Sequence, residues 1–230
     1  LEVLRHSTAH ILATAVRELF PGAGIGFGPP IEDGFYYDFD VPRPFTPEDL
    51  EAIEQKMAEV VERDYPFRRE VVDRGEANRR FADDPLKLER IGELGDDEVI
   101  SVYTDGPFQD LCRGPHIPST GRLKHFKLMK VAGAYWRGDE KRPMLQRIYG
   151  TAWTNKAELA AHLTRLEEAA ARDHRKLANE LDLLSFPSEL GGGLAVCHPH
   201  GAIIRKTMED YSRQRHESGR SQFVYTPHLA

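Results

Sequence analysis

The sequence predicts an α+β fold of mixed strands and helices rather than a doubly wound sheet. Helical spacing marks both ends of the chain, short alternating stretches lie between, and no strand–helix–strand rhythm repeats. With 230 residues there is room for one large domain and part of another. At 40% hydrophobic and 30% charged, the composition is that of an ordinary globular protein. No apolar run approaches the ~18 residues of a membrane span, and the N-terminus does not resemble a signal peptide. The two cysteines, Cys112 and Cys197, make no disulfide framework, which suits a reducing cytoplasm.

Val3 through Phe20 carries apolar residues at 4, 11, 12, 15, 16 and 19, the spacing of an amphipathic helix. Pro21-Gly22-Ala23-Gly24 turns the chain, and Phe35 to Asp40 alternates as a strand, with Gly34 before it at a turn or close approach. Thr46-Pro47-Glu48-Asp49 is a helix start: a Thr cap, a proline in the first turn, then acids. Apolar positions 50, 53, 57, 60 and 61 carry that helix to Arg63. Strands are expected at Phe67–Val72, Glu98–Tyr103, 124–131 and 145–150, with short helices at Glu76–Phe81 and Pro85–Ile91. Lys156 to Leu184 reads as one long helix, with Glu168 and Arg172 paired four apart. Past Gly191-Gly192-Gly193 the composition resets. One more helix near 201–218 and a strand at Phe223-Val224-Tyr225 are too little for an independent core.

Two motifs about a hundred residues apart concentrate the chemistry: His6-Ser7-Thr8-Ala9-His10 and Asp110-Leu111-Cys112-Arg113-Gly114-Pro115-His116. An i, i+4 pair on a helix puts both imidazoles on one face. The second motif adds a thiol, a carboxylate and a third imidazole around a Gly-Pro bend. Singly, a helical histidine is more often a structural hydrogen-bonder than a ligand, and a lone cysteine is a small buried hydrophobe. Jointly, the three histidines and Cys112 are either a tetrahedral zinc set or a metal-free group of bases suited to ester hydrolysis. The zinc-protease pattern H-E-x-x-H is excluded, because Ser7 and Thr8 stand where its glutamate would be. Cys197-His198-Pro199-His200 also invites a metal reading but lacks a partner pair in the remaining residues.

The net charge of −6 argues against a general nucleic-acid coating surface, yet it hides a local reversal. Between Gly121 and Arg147 there are eight Lys or Arg against Asp139 and Glu140, with Tyr135, Trp136 and Tyr149 in or beside the stretch. Basic residues interleaved with aromatics suit phosphate contact and base stacking, while the bland alternative is a solvated face with a few core aromatics.

Beyond these motifs, Glu32-Asp-Gly-Phe-Tyr-Tyr-Asp38, Phe126-Lys-Leu-Met-Lys130, Ala132-Gly-Ala-Tyr-Trp-Arg-Gly138, Met144 through Trp153, Arg172-Asp-His-Arg-Lys176 and Glu180-Leu-Asp-Leu183 all resemble the bacterial threonyl-tRNA synthetase family. The resemblance runs from Leu4 to the end. It implies an editing domain at 1–155, a linker helix at 156–185, and at 186–230 the truncated start of a class II aminoacylation domain with its antiparallel sheet. Since the chain begins at Leu1, it is expected to be part of a longer, cytoplasmic protein. Tyr211 through Pro227 is similar to the first class II motif, implying a homodimeric parent. The parent's ATP, magnesium and zinc would be held beyond Ala230.

The resemblance further implies that His6, His10, Cys112 and His116 line the editing cleft, with Asp110, Lys87 and Tyr37 as further contributors. Lys87 is placed by the match of Pro85-Leu-Lys-Leu-Glu89. The implied reaction is hydrolysis of mischarged Ser-tRNA(Thr). Arg122, Lys124, Lys127, Lys130, Tyr135, Trp136 and Arg137 would meet tRNA(Thr), and no metal is required for editing, with zinc on His6, His10, Cys112 and His116 as the alternative. The competing readings are a zinc-stabilised tRNA-acceptor-binding module without catalysis, and a freestanding editing factor.

Overall fold

The computed structural model of the protein describes residues 1–95, 97–191 and 193–224. The chain forms two compact units, Leu1–His162 and Leu163–Ala230.

The first unit is built around one helix. Helix α1 (Glu2–Leu19) is buried on every face from Ser7 to Val16, which is why its centre carries small and aliphatic residues such as Ala9, Ile11, Leu12, Ala13 and Ala15. Strands β1 (Gly24–Ile25), β2 (Pro30–Ile31) and β3 (Gly34–Asp40) follow it. Helix α2 (Pro47–Glu62) starts at the predicted Thr46, in a capping box with Asp49, and buries Ile53, Met57 and Val60. Strand β4 (Phe67–Val72), helices α3 (Arg74–Arg80) and α4 (Pro85–Glu93), and strands β5 (Ile100–Asp105) and β6 (Phe108–Leu111) come next, then β7 (His125–Tyr135) and β8 (Met144–Trp153).

Two antiparallel sheets result. One has the order β1-β3-β8-β7 with β2 added beside β3; the other has the order β4-β5-β6. Phe35, Tyr37 and Phe39 of β3 alternate inward and, with Ile148 of β8, pack on α1 and α2 in one continuous core. A smaller core of Ala77, Phe81, Ile91, Ile100 and Val102 seats α3 and α4 on β5. The strand expected at Glu98–Tyr103 does not lead straight into the Asp110 motif; the chain reverses first, through a two-residue loop. Gly106 sits there at φ +64°, where a Cβ would collide with the Tyr65 ring. Asp110 therefore lies on its own strand, opposite Tyr103.

The helix expected over Lys156–Leu184 is two helices, α5 (Lys156–Ala171), which begins in the first unit and ends in the second, and α6 (His174–Glu180). Asp173 ends the run: its side chain accepts the Arg175 amide and caps α6, the role aspartate prefers over a helix interior. The expected Glu168–Arg172 pair is present at 3.3 Å. Strands β9 (Leu184–Ser185) and β10 (Val196–Cys197) form a short antiparallel ladder, and α7 (Pro199–Ser218) follows. Phe223 and Val224, expected in a strand, are not in one; Tyr225 and the end of the Tyr211–Pro227 motif lie outside the described residues. No helix among the described residues is long and apolar enough to cross a membrane.

Candidate active site

The two motifs meet. Helix α1 delivers His6 and His10 from one face, and the chain leaving β6 delivers Cys112 and His116 from the other side. Gly114 makes the turn at φ +67°, pressed so closely on Tyr103 that no side chain fits there. Cys112 Sγ lies 3.2 Å from His6 Nε2 and 3.2 Å from His116 Nε2, and the Gly114 amide donates to the same sulfur. Ser7, inside the first motif, is 3.0 Å from His116 Nδ1 and also accepts the Ile117 amide, so it fixes the far side of that ring. His116 stacks on Phe67 at 4.8 Å, and its centroid lies 4.2 Å from that of His10.

Burial sets the charge states. His6 is held below the ordinary histidine range and His10 well below it, in both cases mainly by loss of water, although the Asp110 charge works the other way on His6. Burial, then the neighbouring imidazoles, takes His116 down to about 2. The same burial pushes the Cys112 thiol up to about 12. Neutral imidazoles beside a protonated thiol form a group of proton acceptors and donors, not a thiolate nucleophile.

A second set of polar groups adjoins it. Asp110 is ion-paired with Lys87 and accepts the Tyr37 hydroxyl, and Asp110 Oδ2 is 3.8 Å from His10 Nε2. Lys87 also donates to the Gly26 carbonyl at 2.6 Å and is buried, so its ammonium is aimed rather than free to move. Burial, reinforced by Asp110, raises the Tyr37 hydroxyl well above the usual phenol range and keeps it a donor. A cavity of about 450 Å³ opens beside Lys87, walled by Gly26, Phe27, Leu111, Trp136 and Arg137.

The ligand atoms of His6, His10, Cys112 and His116 all lie within 4.8 Å of one another. Bonds of about 2.0–2.3 Å around tetrahedral zinc need separations of about 3.3–3.8 Å, so the donor set fits such an ion after small side-chain movements. Cys197-His198-Pro199-His200 gathers no such group among the described residues. His198 instead bonds Ser185 Oγ at 2.9 Å and Asp182 at 2.7 Å, tying β9 to the start of α7.

The basic stretch is less free than its composition implies. Lys127 pairs with Glu54, Arg137 with Glu89 and Glu93, Arg142 with Glu89, and Arg147 with Asp38. Trp136, expected as a stacking platform, is only 2% exposed, with Phe27 against its ring and Glu89 on its indole N–H. It offers a ligand one wall of the cavity, not an open face. Arg122, Lys124, Lys130 and Tyr135 are exposed. Sequence reasoning gave no role to Ser7, although it lies inside the first motif, and missed Thr14 and Asp105; for these two the local signal was the Asp105-Gly106 turn dipeptide alone.

Residues 100–149, which contain the second motif and the basic stretch Gly121–Arg147, match the family described as the threonyl and alanyl tRNA synthetase second additional domain. Of the site, Asp110, Cys112 and His116 lie within that match, while His6, His10, Tyr37 and Lys87 lie before it. Over its whole length the chain is a homologue of bacterial threonyl-tRNA synthetases. It is 58% identical to a threonine–tRNA ligase of Streptomyces griseus over 99% of this chain, and 54% identical to one of Dehalococcoides mccartyi over 100% of it. A third, from Nitrosococcus oceani, is 56% identical. The chain spans 36–39% of the length of these relatives.

Proposed function

We propose that this region is the proofreading part of a cytoplasmic threonine–tRNA ligase and hydrolyses serine from mischarged Ser-tRNA(Thr). The observation that carries the reading is the convergence of four neutral proton-handling groups with a buried, aimed lysine beside a cavity. The need follows from energetics. Serine lacks only threonine's methyl, and one such group gives a pocket roughly 1–3 kcal/mol of discrimination, so a second, smaller sieve improves fidelity.

In this reading the tRNA 3′ end enters along the exposed basic residues Arg122, Lys124 and Lys130, and its terminal nucleotide occupies the cavity walled by Phe27 and Trp136. Water bonds to the ester carbonyl carbon while a neutral imidazole takes its proton. Lys87, beside that cavity, offsets the charge developing on the carbonyl oxygen. The ester C–O bond then breaks, and the leaving 3′ oxygen takes a proton from the imidazolium or from Lys87. Serine and a free tRNA 3′ hydroxyl are the products. Cys112, kept as a thiol, orients the neighbouring imidazoles and forms no acyl-enzyme. Aminoacylation with ATP, magnesium and zinc, and the homodimer, belong in this account to the rest of the ligase.

The test is deacylation. Incubated with Ser-tRNA(Thr) and Thr-tRNA(Thr), the chain is expected to release serine and spare threonine. Release of neither, from a preparation that binds the tRNA, rejects the proposal.

A further inference from the structure

We propose that Asp105 is a positioning residue for His10, accepting its Nδ1–H on Oδ1 so that the unprotonated Nε2 lies toward Asp110 and its Lys87 and Tyr37 partners. The consequence for rate rests on the hydrolytic reading above; the contact itself does not.

His10 is 2% exposed and Asp105 is fully buried. His10 Nδ1 and Asp105 Oδ1 lie 4.0 Å apart, and neither atom has a hydrogen-bond partner. Buried polar atoms without partners are rare because each has given up water for nothing. Here a potential donor and a potential acceptor sit across one gap. Hydrogen bonds around catalytic groups are often long without substrate and tighten when it binds. The remaining neighbours of His10 do not compete for Nδ1. His6, His116, Phe67 and Phe108 face it as rings; Asp110 Oδ2, 3.8 Å from Nε2, is the rival acceptor for the one imidazole proton but already accepts the Tyr37 hydroxyl.

The carboxyl is also strapped to the helix that carries the imidazole. Thr14 stands one turn after His10 on α1, with its hydroxyl 2.7 Å from Asp105 Oδ2 and 2.9 Å from the His10 carbonyl. This tether uses Oδ2 and leaves Oδ1 to point at the ring. Oδ1 accepts a hydrogen bond whether the carboxyl is ionised or not, so the contact needs no particular protonation state. With its proton fixed on Nδ1, His10 has its lone pair on Nε2, the nitrogen on the side of the Lys87–Asp110–Tyr37 network. A buried carboxyl that sets the tautomer and orientation of a catalytic imidazole is a known device in hydrolysis.

The deciding measurement is the imidazole ¹⁵N spectrum of the full 230-residue chain, with His10 assigned by its loss in His10→Gln. The wild type is expected to show the Nδ1–H tautomer. Asp105→Asn should retain it, because its amide oxygen still accepts while its NH₂ faces Thr14; Asp105→Leu should abolish it. Serine release should fall about 100-fold in kcat in Asp105→Leu with little change in KM, and recover in Asp105→Asn. An Nε2–H tautomer in the wild type, or the same tautomer in wild type and Asp105→Leu, overturns the proposal. If Asp105→Leu does not fold, the wild-type spectrum still decides. A wild type that releases no serine overturns the hydrolytic reading alone, since the tautomer is read without activity.

Discussion

The His/Cys cluster and the β7–β8 hairpin both stand out in the sequence, yet folding treats them in opposite ways. The cluster gains from tertiary structure. His6 and His10 find Cys112 and His116, lose their water, and become a neutral group aimed at one another. The hairpin loses: Lys127, Arg137, Arg142 and Arg147 are each met by a carboxylate from another element. A motif whose residues must share one helix face predicts its own geometry. A local excess of charge does not, because its counter-charges come from distant sequence.

The sharpest way to break this comparison is to remove the aimed groups. Lys87→Ala and His10→Ala are each expected to lower serine release by about 10²–10⁴-fold while tRNA binding, measured by filter retention, stays within a few-fold. Equal losses of binding and rate would make the cluster a docking element instead.

A second effect is read in stability. In the metal-free protein the imidazoles of His6, His10 and His116 have pKa values depressed by folding, so the unfolded chain takes up protons first as pH falls through about 6.5. Their contribution is complete above that value and is lost below it. His116, held at about 2, alone removes about 2 kcal/mol between pH 7 and 5. Asp105, whose pKa burial raises well above the usual carboxyl value, works the other way and favours the fold at low pH. Urea midpoints at pH 7 and 5 should therefore shift less in His116→Gln than in the wild type.

Smaller effects belong to the hairpin. Lys124→Ala and Lys130→Ala should each weaken tRNA binding and reduce the salt slope by about one. Lys127→Ala should do less, since its charge is already offset by Glu54. If the three variants are alike in salt-dependent binding, the ion pairs do not quench the field. Smallest of all is metal removal: chelation is expected to leave both melting temperature and serine release unchanged, and elemental analysis with a chelator control checks it. Stoichiometric zinc whose removal unfolds the protein would favour a structural centre.

How much was legible follows the same division. Thr46 with Asp49 is a local signal, and helix α2 begins where it says. The i, i+4 histidines and the Gly-Pro bend are local too, and they carry the cluster. Strands β1, β2, β9 and β10 have two residues each, too few to show any periodicity. The break after Ala171 was hidden in an Ala- and Glu-rich pattern that continues on both sides, although Asp173 was its cap. The Asp105-Gly106 dipeptide marked a turn, but the place of Asp105 beside His10 was not legible, because α1 packing against the β5–β6 hairpin brings them together, a non-local fact that only the fold supplies.

The central claim is that the neutral cluster and Lys87 form a hydrolytic site selective against serine. Single-turnover deacylation of Ser-tRNA(Thr) and Thr-tRNA(Thr) by the chain, with Lys87→Ala alongside, tests it most directly. The account predicts rapid loss of serine, a stable threonyl ester, and near-complete loss of the serine reaction in the variant. Equal hydrolysis of both esters, or wild-type and Lys87→Ala rates that match the uncatalysed one, would contradict it.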